Sequence, residues 1–170
     1  MVEYEALSSV YEWLVPDALL QPDGAVAAFE QVVSILPPRG RILDCASGTG
    51  QLAVGLAARG FDVLASDASE AMIQRTQTLA DQYGVALTAV VCAWEDLSRV
   101  VEGPFDAVFC VGNSLTHADG QPGRRAALAQ MAAVLRDGGL LAITSRNWER
   151  LREQRPGLEI DDRLTHRAGR

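Results

Sequence analysis

Residues 41–53 read Arg41-Ile-Leu-Asp-Cys-Ala-Ser-Gly-Thr-Gly-Gln-Leu-Ala53. An apolar run ends on an acid, Asp44, and just beyond it Gly48 and Gly50 flank Thr49. The order predicts a buried strand, a sharp turn and the start of a helix. Glycines let the backbone turn tightly and approach a ligand closely. The helix start offers free N–H groups and the positive end of its dipole. A dinucleotide pyrophosphate suits such a turn, and Gly48-x-Gly50-x-x-Ala53 fits that pattern. An amino-acid carboxylate suits it equally. Asp44 separates the two, because a carboxylate repels a pyrophosphate and attracts an ammonium or a sulfonium.

Outward from this stretch the hydrophobic period switches regularly. Ala25, Ala28, Phe29, Val32 and Leu36 recur at helical intervals until Pro37-Pro38 stops them. A strand is predicted over 41–46, then a helix from near Gly50 to Gly60 with Leu52, Gly55 and Leu56 facing in. A second strand follows over 62–67. Ser69 reads as an N-cap, and Met72, Thr76, Leu79, Ala80 and Tyr83 repeat at helical spacing up to Gly84. Further strands are predicted over 86–93, 105–112 and 140–145. A helical stripe of Leu128, Met131, Ala132 and Leu135, closed by Gly138-Gly139, precedes the last of them. Strands alternating with helices mean βαβ units. The expected fold is α/β, a doubly wound, Rossmann-like, mostly parallel sheet of strand order 3-2-1-4-5.

The 170 residues are read as a single domain. It divides into an N-terminal helical lid over 1–38, a binding core over 39–151 and a truncated tail over 152–170. A net charge of −7 argues against the basic stripe of a nucleic-acid binder and against docking on anionic lipid. Cys45, Cys92 and Cys110 lack C-x-x-C spacing and read as free, buried thiols. The chain shows no apolar run of the ~18 residues needed for a membrane span and no signal-peptide pattern at its start. It is read as cytoplasmic, with no metal site.

In a doubly wound sheet, ligands sit beyond the carboxyl ends of the strands, at the switch point. The stretches to inspect are therefore 44–50, Asp67, Ala93-Trp94, 111–114 and Arg146-Asn147. Asp67 suits two ribose hydroxyls as a carboxylate acceptor. A ligand that joins ribose, carboxylate and ammonium is S-adenosylmethionine. With these residues in view, "ILDCASGTG" (42–50) resembles motif I of class I S-adenosylmethionine-dependent methyltransferases, and "VLASDAS" (63–69) resembles their ribose-binding motif. The strings "SDASEAMIQ", "CAWEDL", "FDAVFCVGNSLTHADG" and "RRAALAQMAAVLRDGGLLAITSRNWERL" together resemble the glycine and glycine/sarcosine N-methyltransferase family from about Gly40 to Leu151. "VYEWLVPD" (10–17) resembles its N-terminal segment more loosely.

The resemblance implies S-adenosylmethionine as cofactor and a small-molecule amine as methyl acceptor. It implies donor-binding roles for Asp44, Ala46, Gly48 and Gly50, for Asp67 and Ala68 at the ribose, and for Ala93 and Trp94 beside the adenine. Val111 to Asn113 would hold the methionine moiety and the acceptor, and Arg146 would clamp the acceptor carboxylate beside Asn113. Tyr11 falls where the family has an aromatic lid residue. No dedicated catalytic residue is implied. The residues themselves leave a plainer option open for Arg146, an ion pair with Glu149 or Glu153.

Three departures stand out. Ala93 replaces an asparagine of the family, no arginine lies between Tyr11 and Pro37, and most of the usual sixth and seventh strands are lacking. The last leaves the fifth strand as an uncovered edge, which invites homo-oligomers. The alternatives are a non-catalytic fragment or module that holds the donor, a methyltransferase for another small acceptor, and a nicotinamide-dependent dehydrogenase using the glycine turn.

Overall fold

A computed structural model of the chain describes residues 16–154. Five strands form one sheet: β1 (Arg41–Asp44), β2 (Asp62–Asp67), β3 (Thr88–Val91), β4 (Phe105–Cys110) and β5 (Leu135–Ile143). Their order is β3-β2-β1-β4-β5 and every neighbouring pair runs parallel, as the sequence predicts. The order reverses between β1 and β4, so the crevice at the carboxyl end of the sheet opens there. The connecting helices are α1 (Pro22–Ala27), α2 (Glu30–Val33), α3 (Gln51–Ala58), α4 (Glu70–Tyr83), α5 (Leu97–Val100), α6 (Gly120–Ala133) and α7 (Trp148–Gln154).

Ile42 and Leu43, consecutive in β1 and facing opposite sides, are both buried because both faces of the sheet are covered. Ile42, with Ala65, Ala107 and Phe109, packs on one side against Val26, Val33, Leu52 and Leu56. Leu43, with Val108 and Cys110, packs on the other side against Leu97, Ala127 and Met131. The three cysteines are free and buried in this second core. A hydrogen bond with Cys110, together with burial, holds the Cys45 thiol well above its ordinary pKa, so it packs as a neutral group. Gly55 lets α3 meet α1 closely: a Cβ there would lie 2.5 Å from the Pro22 carbonyl oxygen.

At the amino end of the sheet Asp106 joins three strands. Its carboxylate accepts the Arg41 backbone N–H at 2.8 Å and Arg136 Nε at 2.6 Å. The Arg136 bond, then the Arg41 bond, hold its carboxyl below the ordinary range. The Arg41 guanidinium stacks over the Phe105 ring at 4.7 Å.

The structure departs from the sequence reading in several places: β1, β3 and β4 are shorter than the predicted 41–46, 86–93 and 105–112, because the chain leaves the sheet for the loops at its carboxyl end. The helix expected through Ala25 and Leu36 breaks at Ala28-Phe29, and the break accompanies an edge-on contact of Phe29 with Phe109, ring centroids 5.9 Å apart. The expected α6 stripe stops short: Ala132 is exposed, and Leu135 already belongs to β5. β5 thus begins at Leu135, not Leu140, because Leu135 pairs with Phe105 and the register shifts before Ala107 pairs with Leu140, with Gly138 at φ +70°. Among the described residues β5 pairs with β4 alone, and Ile143 is 38% exposed.

Candidate functional site

The loop between β1 and α3, residues 45–50, is held by every element around it. Cys45 N–H donates to the Phe109 carbonyl of β4 at 2.9 Å, and the Cys45 carbonyl accepts Trp94 Nε1 at 2.8 Å. Ser47 N–H donates to the Ser66 carbonyl of β2 at 3.0 Å. Gly48 N–H donates to Asp67 Oδ2 at 2.9 Å, and the Gly48 carbonyl accepts Thr76 Oγ1 of α4 at 3.1 Å. Gly48 and Gly50 take φ of +54° and +92°, the left-handed region that glycine reaches without strain. A Cβ on Gly50 would also lie 2.9 Å from Thr76. The turn is therefore fixed before any ligand arrives.

Two carboxyl groups underlie it. Asp67, at the end of β2, accepts Gly48 N–H on one oxygen and Ser69 N–H, also at 2.9 Å, on the other. Each oxygen keeps an acceptor site, since a carboxylate offers about four. Asp67 thus serves the turn before α4 and reaches the glycine loop as well. Ser69 caps α4 through Met72 N–H at 3.4 Å, as expected. Burial raises the Asp67 carboxyl against the lowering effect of these bonds. Asp44 is 1% exposed, and its nearest donor is Ala46 N–H at a long 3.5 Å. Burial pushes its pKa up to about 7, the Asp67 charge adds to the rise, and the Ala46 bond opposes it. Ser47 and Ser66 carry buried hydroxyls with no partner among the described residues.

The ends of β4 and β5 form a second wing on the same side. Gly112 N–H donates to Thr144 Oγ1 at 2.9 Å. Asn113, at φ +69°, uses both ends of its amide: Nδ2 donates to Thr116 Oγ1 at 2.9 Å and Oδ1 accepts the Arg146 backbone N–H at 3.1 Å. Asn113 and Arg146 are thereby brought together, through the backbone of Arg146. The Arg146 guanidinium makes no ion pair with Glu149 or Glu153 among the described residues. Ala46, Ala93 and Val111 line the strand ends partly exposed, and Ala68 is exposed in the bend after β2. The Trp94 ring packs on the second core while its N–H holds the loop. Tyr11 lies outside the described residues.

A methyltransferase domain model matches residues 42–139, from β1 into β5. The chain belongs to the methyltransferase domain family. Among curated relatives, a glycine/sarcosine N-methyltransferase of Parasynechococcus marenigrum is 41% identical over 112 residues, covering 66% of this chain and 40% of that protein. The glycine N-methyltransferase of Homo sapiens is 34% identical over 124 residues, covering 65% and 42%. The chain thus spans about 40% of the length of these relatives. An S-adenosylmethionine-dependent methyltransferase from Clostridium acetobutylicum superposes with a TM-score of 0.71 at 17% identity, over 94% of this chain and 65% of that one, which shows the shared fold.

For this methyltransferase domain S-adenosylmethionine is the cofactor, and the loop fits it. Asp67 keeps acceptor sites for hydroxyls, the buried Asp44 lacks a strong donor, and Ser47 carries a hydroxyl without a partner among the described residues. The sequence reading did not single out Thr76 or Thr144 for the site. A β-branched hydroxyl residue on the inner stripe of a helix was the available sign for Thr76.

The raised Asp44 pKa has a consequence for stability. Its folded value, about 7, lies above the ordinary 3.8, so the folded state keeps a proton that the unfolded state releases. In the ligand-free protein this group makes stability fall as pH rises from about 4 to about 7. Below that window both states hold the proton and the cost is absent; above it the cost is complete. Asp44→Asn removes the slope. Melting of ligand-free protein should show the variant more stable than wild type at pH 8 by a few kcal/mol on the order of magnitude, with the gain vanishing toward pH 4. Parallel melting curves at all pH values contradict the assignment.

Proposed function

We propose that this chain transfers the methyl group of S-adenosylmethionine to the amine of a small amino acid, glycine, sarcosine or a close analogue. The observation that carries the proposal is the pairing of two wings on one end of the sheet. The glycine loop with Asp67 presents a donor site, and Asn113 fixes the backbone that presents the Arg146 guanidinium. Identities of 34–41% to glycine and glycine/sarcosine N-methyltransferases support the acceptor class. The proposed donor contacts are Tyr11, Asp44, Ala46, Gly48, Gly50, Asp67, Ala68, Ala93, Trp94 and Val111, and the proposed acceptor contacts are Asn113 and Arg146.

Bound donor supplies an activated methyl and carries its own leaving group. The chain's residues then have to align the acceptor amine and exclude water. Arg146 offers a planar, permanently charged fork to the acceptor carboxylate. This orients the amine without a dedicated base, provided the amine arrives neutral. Asp67 holds the ribose. No metal is called for, and no helix among the described residues is long and apolar enough to cross a membrane. The net charge of −7 supports a small-molecule acceptor over nucleic acid or an anionic membrane. The free, buried thiols support a cytoplasmic setting.

Formation of S-adenosylhomocysteine from glycine or sarcosine tests the activity. Arg146→Ala should raise the acceptor KM about 10- to 100-fold, the weight of charge-assisted hydrogen bonds, and leave donor affinity nearly intact. Asp67→Ala should do the reverse. If both substitutions alter only the melting temperature, the assignment of the two wings is wrong. The β5 edge, unpaired on its outer side among the described residues, is proposed to pair with a second copy. Gel filtration should then show a species larger than the monomer that Ile143→Lys reduces; a clean monomer contradicts it.

A further inference from the structure

Thr76 lies mid-way along α4 and is fully buried. A threonine inside a helix ordinarily turns its hydroxyl back to the carbonyl four residues earlier. Thr78, on the exposed side of the same helix, does this, with Oγ1 donating to the Gln74 carbonyl at 2.9 Å. Thr76 does not. Its Oγ1 leaves the helix and donates to the Gly48 carbonyl at 3.1 Å, across 28 residues of sequence. Gly48 N–H is meanwhile held by Asp67 Oδ2, so both peptide groups flanking the Gly48 Cα are fixed by side chains from other elements. Thr76 also closes the space over Gly50, where a Cβ would lie 2.9 Å from its Cα, Cγ2 and Oγ1.

We infer that Thr76 is a positioning residue for the donor: its hydroxyl sets the orientation of the Gly48 peptide and thereby the shape that the glycine loop presents to S-adenosylmethionine. The inference rests on the reading of that loop as the donor site. Thr76 touches no reacting atom. It acts through the loop, and α4 carries it to the right place because Ser69 caps the helix beside Asp67, the other residue that grips Gly48. One short segment, 67–76, thus holds Gly48 from both of its polar groups.

Two substitutions divide hydroxyl from methyl. Thr76→Val keeps the shape and removes the hydrogen bond; Thr76→Ser keeps the hydrogen bond and removes a methyl group. Wild type and both variants are compared by melting, by calorimetric titration with S-adenosylmethionine, and by amide hydrogen exchange at Gly48 and Gly50 without ligand. Thr76→Val should bind the donor about fivefold more weakly, the weight of one net hydrogen bond, and exchange faster at both glycines. Thr76→Ser should bind like wild type despite a lower melting temperature. In steady state Thr76→Val should raise KM for the donor and leave kcat unchanged. Donor affinity that follows melting temperature across the three proteins overturns the inference, as does wild-type exchange in Thr76→Val. A wild-type chain that binds no donor overturns the reading of the loop; the exchange comparison then still decides whether Thr76 sets its conformation.

Discussion

The Gly48 peptide is the point on which this structure turns. β1 ends in the middle of the sheet, and its chain must reverse into α3 within a few buried residues. Buried backbone donors and acceptors need partners, and a turn this tight supplies few of its own. The neighbours supply them. Ser66 and Asp67 of β2, Thr76 of α4, Trp94 and Phe109 of β4 each hold one polar group of the loop. A loop held this way is one shape, and a ligand that fits it loses little affinity to ordering it.

The same loop explains an unfavourable feature of the ligand-free protein. Asp44 and Asp67 lie close together, one of them buried without a strong donor. Two neighbouring carboxyl groups, with no ion-pair partner among the described residues, destabilise a fold. They make sense beside a ligand that brings positive charge and hydroxyl groups. The cost in stability at Asp44 thus sits at the carboxyl end of β1, beside the glycine loop.

Local signals carried much of the architecture. β2 matched its predicted span because Asp62 to Asp67 is framed by Gly60 and Ser69, and α4 matched because Ser69 and Gly84 mark its two ends. The parallel, doubly wound sheet followed from alternation of strand and helix, and its order from the resemblance to class I methyltransferases. What the sequence did not disclose depends on partners far along the chain. The early start of β5 is set by the pairing of Leu135 with Phe105, and the break before α2 accompanies the contact of Phe29 with Phe109. The site shows the same division. The glycines, Asp44 and Asp67 stand in a recognisable motif. The amide of Asn113 holds the backbone of Arg146, a bond that motif spacing does not disclose, and the hydroxyl of Thr76 reaches a carbonyl that no helical period points to.

The central claim is a donor site already formed in the free chain. It is tested most directly by following backbone amide resonances of the isotope-labelled 170-residue protein during titration with S-adenosylmethionine. Saturable shifts are expected, confined to residues 44–50, 67–69, 93–94 and 111–113, with the rest of the sheet unmoved. An absence of shifts, or shifts spread through all five strands as the fold rearranges, contradicts it.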